Sequence, residues 1–234
     1  MIRKTASILI KSGIIVVGIL GIVLTVISSG FMGGRYVFMY FTVQSNITEI
    51  IIAAVFLANE LSSRKFAGQT LIRLKFVFTI AITITFLVFF TMLVPFVSTE
   101  YLTSFNNLSL HAIVPLLAIA DFFIFDTDIS LSYPGSMAGL AMPLYYVLFY
   151  FIGVPLGFQY SEAGNTAPYF FLNFREIGWF MEKGTVGVIL WIIILVVLMS
   201  CLCMLFAFFM KRRQKTGIEG TPGNNSRIKQ FKKK

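Results

Sequence analysis

Few side chains in this sequence can do chemistry, and they cluster in two short stretches. The first is Tyr40-Phe41-Thr42-Val43-Gln44-Ser45-Asn46, followed by Thr48 and Glu49. At about 100° per residue on a helix, Thr42, Ser45, Asn46 and Glu49 share one face, and Gln44 points nearly the opposite way. The second is Asn107-Leu-Ser-Leu-His111-Ala-Ile-Val-Pro115, with Asp121 beyond it; His111 is the one histidine of the chain. A threonine hydroxyl is a weak nucleophile until a base takes its proton. A neutral imidazole within about 2.6–3.2 Å does that near pH 7. Thr42 and His111 are therefore the candidate catalytic pair. Asp121 lies about 15 Å farther along a straight helix, too far to orient the imidazole, so the pattern suits a Thr–His dyad rather than a triad. Ser45, Asn46 and the free backbone N–H groups at the start of the Thr42 helix are the candidates for binding substrate and holding an oxyanion.

Gln44, Glu49, Asn107, Asp121 and Tyr146 are expected as buried polar support. Glu49 and Asp121 sit at mid-depth with no basic residue expected beside them. They are then either neutral locks between helices or, in a transporter, stations on a proton path. The bland reading of the Thr42 face is hydrogen bonding between helices.

The elements that must position these groups are six apolar segments: Ser12 to Phe31, Met39 to Leu57, Leu71 to Val97, Leu108 to Phe125, Ser136 to Leu156 and Thr185 to Met210. Each is long enough as a helix to cross about 30 Å of hydrocarbon. The first is too long, and lacks the small-residue site, for a cleaved signal peptide. The expected fold is all-α: a polytopic six-transmembrane-helix bundle over residues 1–210, then a basic flexible tail over 211–234.

Composition demands the same. Of 234 residues 57% are hydrophobic and 12% charged, with 26 Phe and a mean hydropathy of +0.86. Soluble domains carry about 25% charged residues, so a soluble enzyme, a disordered chain and a disulfide-stapled module are all excluded. The net charge of +9 does not point to nucleic acid, because nine of the 19 Lys and Arg lie from Lys211 onward. A basic tail beside a span is an orientation signal that meets anionic lipid headgroups. Placing the N-terminus inside puts only Arg35, Arg175 and Lys183 outside. Both termini are thus expected to be cytoplasmic, in a cell membrane. Thr42 and His111 then lie toward the outer face at similar depth. The long outer connection, Gly157 to Gly184, is rich in Phe, Tyr and Trp and reads as an interfacial belt or a lid.

Cys201 and Cys203 lie in an apolar run and are expected to be reduced; with one histidine they are too few for a common zinc site. No metal or cofactor is expected. There is no Gly-x-Ser-x-Gly elbow, His-Glu-x-x-His or nucleotide loop.

The run Tyr40-Phe-Thr-Val-Gln-Ser-Asn46 resembles the F-T-x-Q-S-N signature of the Pr-six-Pr family of bacterial integral membrane proteins. Leu110-His-Ala-Ile-Val-Pro115 with Asp121, Pro143-Leu-Tyr-Tyr146, and Ala167-Pro-Tyr-Phe-Phe-Leu-Asn-Phe-Arg-Glu-Ile-Gly178 fit the same family in order. That family is distantly similar to the androgen-induced and androgen-dependent membrane proteins of animals, multi-pass hydrolases of fatty-acid esters of hydroxy fatty acids that use an intramembrane threonine and histidine. The resemblance implies that Thr42 accepts the acyl group, that His111 is its base, and that the substrate is a lipid ester. A transporter using Glu49 and Asp121 and a non-catalytic structural membrane protein are the other readings.

Overall fold

The computed structural model describes residues 2–62, 66–126, 131–181 and 184–219. Among them there is no strand, and six helices are long and apolar enough to cross a membrane. We number these spans α1 Ile2–Ser28, α2 Phe41–Leu61, α3 Gln69–Phe96, α4 Phe105–Phe125, α5 Tyr133–Gly153 and α6 Val188–Glu219. The protein is an all-α polytopic bundle whose lipid-facing side chains include Leu9, Val16, Leu148, Val197 and Leu198, all exposed.

Two spans run well past their hydropathy boundaries. α1 starts well before Ser12 because Ser7 and Lys11 are buried against the bundle. α6 continues past Met210 through Lys211 to Glu219. The rest of the basic tail, 220–234, lies outside the described residues, as do Arg64, Lys65 and Lys183.

α1 to α4 form the core of the bundle: α2 and α4 each pack against both α1 and α3. α5 and α6 flank α3. Gly139 at the start of α5 leaves room there for Cys203, the buried one of two free cysteines; Cys201 is exposed. A cluster of Phe41, Phe76, Ile80, Phe122, Tyr146, Tyr150 and Phe206 joins α2, α3, α4, α5 and α6.

At the end that carries both described termini, charge joins the four core helices. The ammonium of Lys11 donates to Ser7 (2.6 Å) and to Asp121 (2.7 Å), and lies 3.5 Å from Asp126 and 3.6 Å from Glu60. Ser7 donates to Glu60 (2.6 Å), and Lys75 bonds both Asp121 and Asp126. This corrects the expectation of a carboxyl without a basic neighbour. Lys11 and Lys75 sit close to the apolar runs and read as connection residues, yet both are buried. A charge removed from water is tolerated only when it is paired in this way.

The connection between α5 and α6 is folded over the opposite end. Tyr40 donates to the Tyr160 carbonyl (2.8 Å), Tyr150 to Leu172 (2.7 Å) and Tyr146 to Met39 (3.0 Å). Trp179 stacks between Phe151 and Phe174. Gly187 permits the last crossing, because a Cβ there would meet the Phe180 carbonyl oxygen at 1.8 Å. Tyr169 of this connection lies beside Thr42, while its Trp179 and Phe180 are exposed.

Candidate functional site

Thr42 is the second residue of α2, whose start is extended at Tyr40 and continues directly into helix. Val43 and Gln44 both donate their backbone N–H to the Tyr40 carbonyl, so Phe41 and Thr42 keep N–H groups without a backbone partner. These are the free donors that every helix start leaves.

His111 reaches Thr42 through an irregularity of α4. Ser109–Ile113 is a π-helical turn, and a second one, Phe89–Leu93, lies in α3. Such turns insert a residue into a helix and re-aim its side chains. The two turns meet where the His111 ring stacks on Phe89, centroids 3.9 Å apart at 26°. α1 comes close behind: a Cβ at Gly21 would lie 2.9 Å from both Ser109 and Leu110, so the absence of a side chain sets the depth of the histidine turn.

The Thr42 hydroxyl lies 3.2 Å from His111 Nε2, and His111 Nδ1 lies 3.1 Å from the Asn107 carbonyl. A carbonyl only accepts, so Nδ1 carries the proton and Nε2 of the neutral ring is the acceptor. The Thr42 hydroxyl therefore donates to His111. This is the orientation that a base-activated hydroxyl needs. His111 is nearly buried, and Thr42 is partly accessible.

The other expected residues divide by what they touch. Asn46 is fully buried, and its amide donates to the carbonyls of Thr42 (2.7 Å) and Leu110 (3.0 Å). It ties the nucleophile's helix to the histidine turn, so its donors are committed and it does not serve as the expected oxyanion donor. Ser45 donates to the Thr42 carbonyl (3.0 Å) and pairs with Thr85 (2.8 Å), joining α2 to α3, so its hydroxyl too is committed. Gln44 donates to the Phe38 carbonyl (3.1 Å) on the turn before α2. Tyr146 holds that turn through Met39 and packs edge-on against Phe41, centroids 5.3 Å apart. Asn107 supplies the carbonyl under His111, and its side-chain oxygen is buried without a partner. Glu49 is fully buried one to two turns deeper, with neither carboxylate oxygen hydrogen-bonded.

One residue was not singled out by its spacing. Tyr169, on the folded connection, has its phenol oxygen within hydrogen-bonding reach of the Thr42 side chain and of the backbone N–H groups of Phe41 and Thr42. Burial pushes this phenol up to about 12, against the lowering pull of those hydrogen bonds. It therefore remains a neutral O–H donor across the physiological range. The signal was its position in Ala167-Pro-Tyr169, two residues before Phe171, on whose ring it stacks.

Thr42 stands where two cavities meet. A narrow apolar cleft of about 70 Å³ runs between α3, α5 and α6, past Val88, Leu140, Leu144, Val196 and Met199. A wider vestibule of about 900 Å³ opens at the far end of the bundle and is lined by His111, Asn107, Tyr101 and Ser28. Thr42, Phe89, Leu93 and Tyr169 line both. Neither cavity is lined by Glu49 or Asp121, the residues a proton path would need. Among the described residues no group of three or more His, Cys, Asp and Glu is placed to hold a metal ion.

No family model, curated protein or solved structure matches this chain.

Proposed function

We propose that the protein is an integral membrane hydrolase, or acyl-transfer enzyme, that acts on a lipid ester through Thr42 and His111. The observation that carries this reading is the 3.2 Å contact from the Thr42 hydroxyl to His111 Nε2, at a point reached by both a narrow apolar cleft and a wider vestibule that adds hydroxyl and amide groups to its apolar walls. An ester with a hydrocarbon side and a polar side matches those two surroundings. The resemblance of the Thr42 and His111 stretches to the Pr-six-Pr proteins and, more distantly, to the androgen-induced hydrolases supports the same chemistry.

His111 Nε2 takes the hydroxyl proton as Thr42 Oγ1 bonds to the ester carbonyl carbon. The carbonyl oxygen gains the electron pair of its π bond. The Tyr169 O–H and the N–H groups of Phe41 and Thr42, which have no backbone partner and face the Tyr169 phenol before substrate arrives, are the donors for that oxyanion. Collapse breaks the bond to the alcohol oxygen, which leaves with the proton from His111. Acyl-Thr42 remains. Water, or a second alcohol for transfer, then gives its proton to His111 and attacks the acyl carbon, and Thr42 recovers its proton from the imidazolium. Apposition contributes by holding the groups at reacting distance.

The excess of Lys and Arg on the terminus-bearing side argues for cytoplasmic termini in the cell membrane, with the dyad toward the outer face. The lipid bilayer supplies the substrate, and the basic tail meets anionic headgroups. Purified protein in detergent is expected to be labelled on Thr42 by a fluorophosphonate probe and to hydrolyse a lipid ester. Thr42→Ala and His111→Ala should each abolish labelling. Undiminished turnover by the Thr42→Ala protein would exclude this mechanism.

A further inference from the structure

The vestibule beside the dyad is lined largely by apolar side chains, among them Val37, Leu93, Phe96 and Val97, with hydroxyl and amide groups set between them and no charge. Its polar lining includes Ser28, Ser29, Ser98, Tyr101, Asn106 and Asn107, and among the described residues none of its lining is Lys, Arg, Asp or Glu. Arg35, the basic residue of the turn before α2, bonds the Tyr36 hydroxyl (2.6 Å), lies over that ring, and does not line this cavity. Tyr101 is an uncharged donor as well, half-exposed, its phenol raised by the water it has lost on the cavity side. Asn107 belongs to this wall and is 3% exposed; its side-chain oxygen is covered and has no hydrogen-bond partner, while its amide reaches toward the Leu102 carbonyl. An orphaned buried acceptor is costly unless a donor arrives.

We infer that the vestibule receives the alcohol portion of the substrate as an uncharged, hydroxyl-bearing head, of the acylglycerol or acyl-sugar class, with a head hydroxyl donating to Asn107 Oδ1. This rests on the reading of Thr42 as the acylated residue and goes further by naming the head. Phosphate-bearing heads are disfavoured because an anion that leaves water needs cations or fixed donors in number, which this lining lacks. A polyol exchanges its water hydrogen bonds for the hydroxyls and amides of the wall at little cost. The roughly 900 Å³ available accommodates a glycerol or sugar.

The test uses two probes that differ only by a phosphate, 1-decanoylglycerol and 1-decanoyl-lysophosphatidic acid. Binding is measured by native mass spectrometry on the full chain carrying Thr42→Ala, so that no turnover is needed. The glycerol ester is expected to bind at least about tenfold tighter. Equal or tighter binding of the phosphate ester, or no binding of either, overturns the inference. Asn106→Lys brings a cation to the same wall and should shift the ratio toward the phosphate ester by about tenfold. An unchanged ratio also counts against it. Asn107→Leu should weaken the glycerol ester selectively. Labelling of Thr42 in the unsubstituted protein is scored separately, so a catalytic dyad with a charged head defeats only this inference, and an unlabelled Thr42 defeats the hydrolase reading.

Discussion

Replacing Lys75 by Met removes one charge from the interior while keeping most of the side-chain volume. The Lys75 ammonium is buried, bonds both Asp121 and Asp126, and lies 4.6 Å from the Phe56 ring centroid. Each charge-assisted hydrogen bond contributes about 1.5–3 kcal/mol, and removing one partner of a buried pair costs about 3–5 kcal/mol. Lys11 remains 2.7 Å from Asp121, which limits the loss toward the lower figure, so we expect about 3 kcal/mol. Methionine preserves the packing, so little of that arises from a void. The assay is reversible unfolding in detergent micelles by added SDS, followed by the fluorescence of Trp179 and Trp191. The deficit should persist at high salt, because screening acts on exposed pairs. Adding Asp121→Asn to Lys75→Met removes the charge left behind, so the double variant should be more stable than additivity predicts by at least about 1 kcal/mol. A Lys75→Met protein within about 0.5 kcal/mol of the unsubstituted one, or strict additivity in the double variant, would refute the reasoning.

Four further outcomes follow from the site. Tyr169→Phe keeps the ring and removes the donor near Thr42, so kcat should fall about 10- to 100-fold with KM little changed; an unaltered kcat counts against its place at the oxyanion. Asn46→Leu leaves the Thr42 and Leu110 carbonyls without their amide and should cost about 2 kcal/mol in the same unfolding assay, with slower probe labelling of Thr42. Gly21→Val forces Ser109 and Leu110 away from α1 and should suppress labelling while circular dichroism still reports a helical protein; full labelling would mean that the histidine turn tolerates the shift. Ultraviolet titration should show the Tyr169 phenol ionising near 12, the value to which burial raises it. A phenol with a raised value favours folding fully below about pH 10 and loses that contribution as pH climbs through 12. Tyr169→Phe should remove this alkaline step.

The spans were legible because runs of Val, Ile, Leu and Phe near 20 residues long have few alternatives to a membrane helix. The polar face of α2 was legible too: Thr42, Ser45, Asn46 and Glu49 interrupt such a run at helical spacing. The structure brings Thr42 and His111 together, a contact that their equal depth under the inferred topology allowed but did not require. What each neighbour bonds to was not legible. Ser45 and Asn46 share the face with Thr42, yet their donors turn to backbone carbonyls and Thr85, a choice set by how closely α3 and α4 approach. Lys11 and Lys75 stand near span ends, where basic residues ordinarily mark the interface. Only the packing of α1 and α3 against Asp121 shows that they turn inward. Tyr169 depends on the path of a long connection, which hydrophobic period does not describe, and the π-helical turns follow from no residue preference that a sequence displays.

The polar interior at the terminus-bearing end reaches into every core helix: Lys11 from α1, Glu60 from α2, Lys75 from α3 and Asp121 from α4. No ion pair among the described residues binds the core helices to one another at the opposite end, where Thr42 and His111 sit. The bundle is thus built like forceps, pinned at the grip and fastened at the tips by neutral contacts. His111 stands about 15 Å along α4 from the pin, so a swing of only about 4° carries the imidazole about 1 Å. That displacement takes it out of hydrogen-bonding range of the threonine. Keeping the pair joined therefore falls to the neutral contacts at the tips, the Asn46 amide on the Leu110 carbonyl and the His111 ring on Phe89, and a group wedged between α2 and α4 there would act with high leverage.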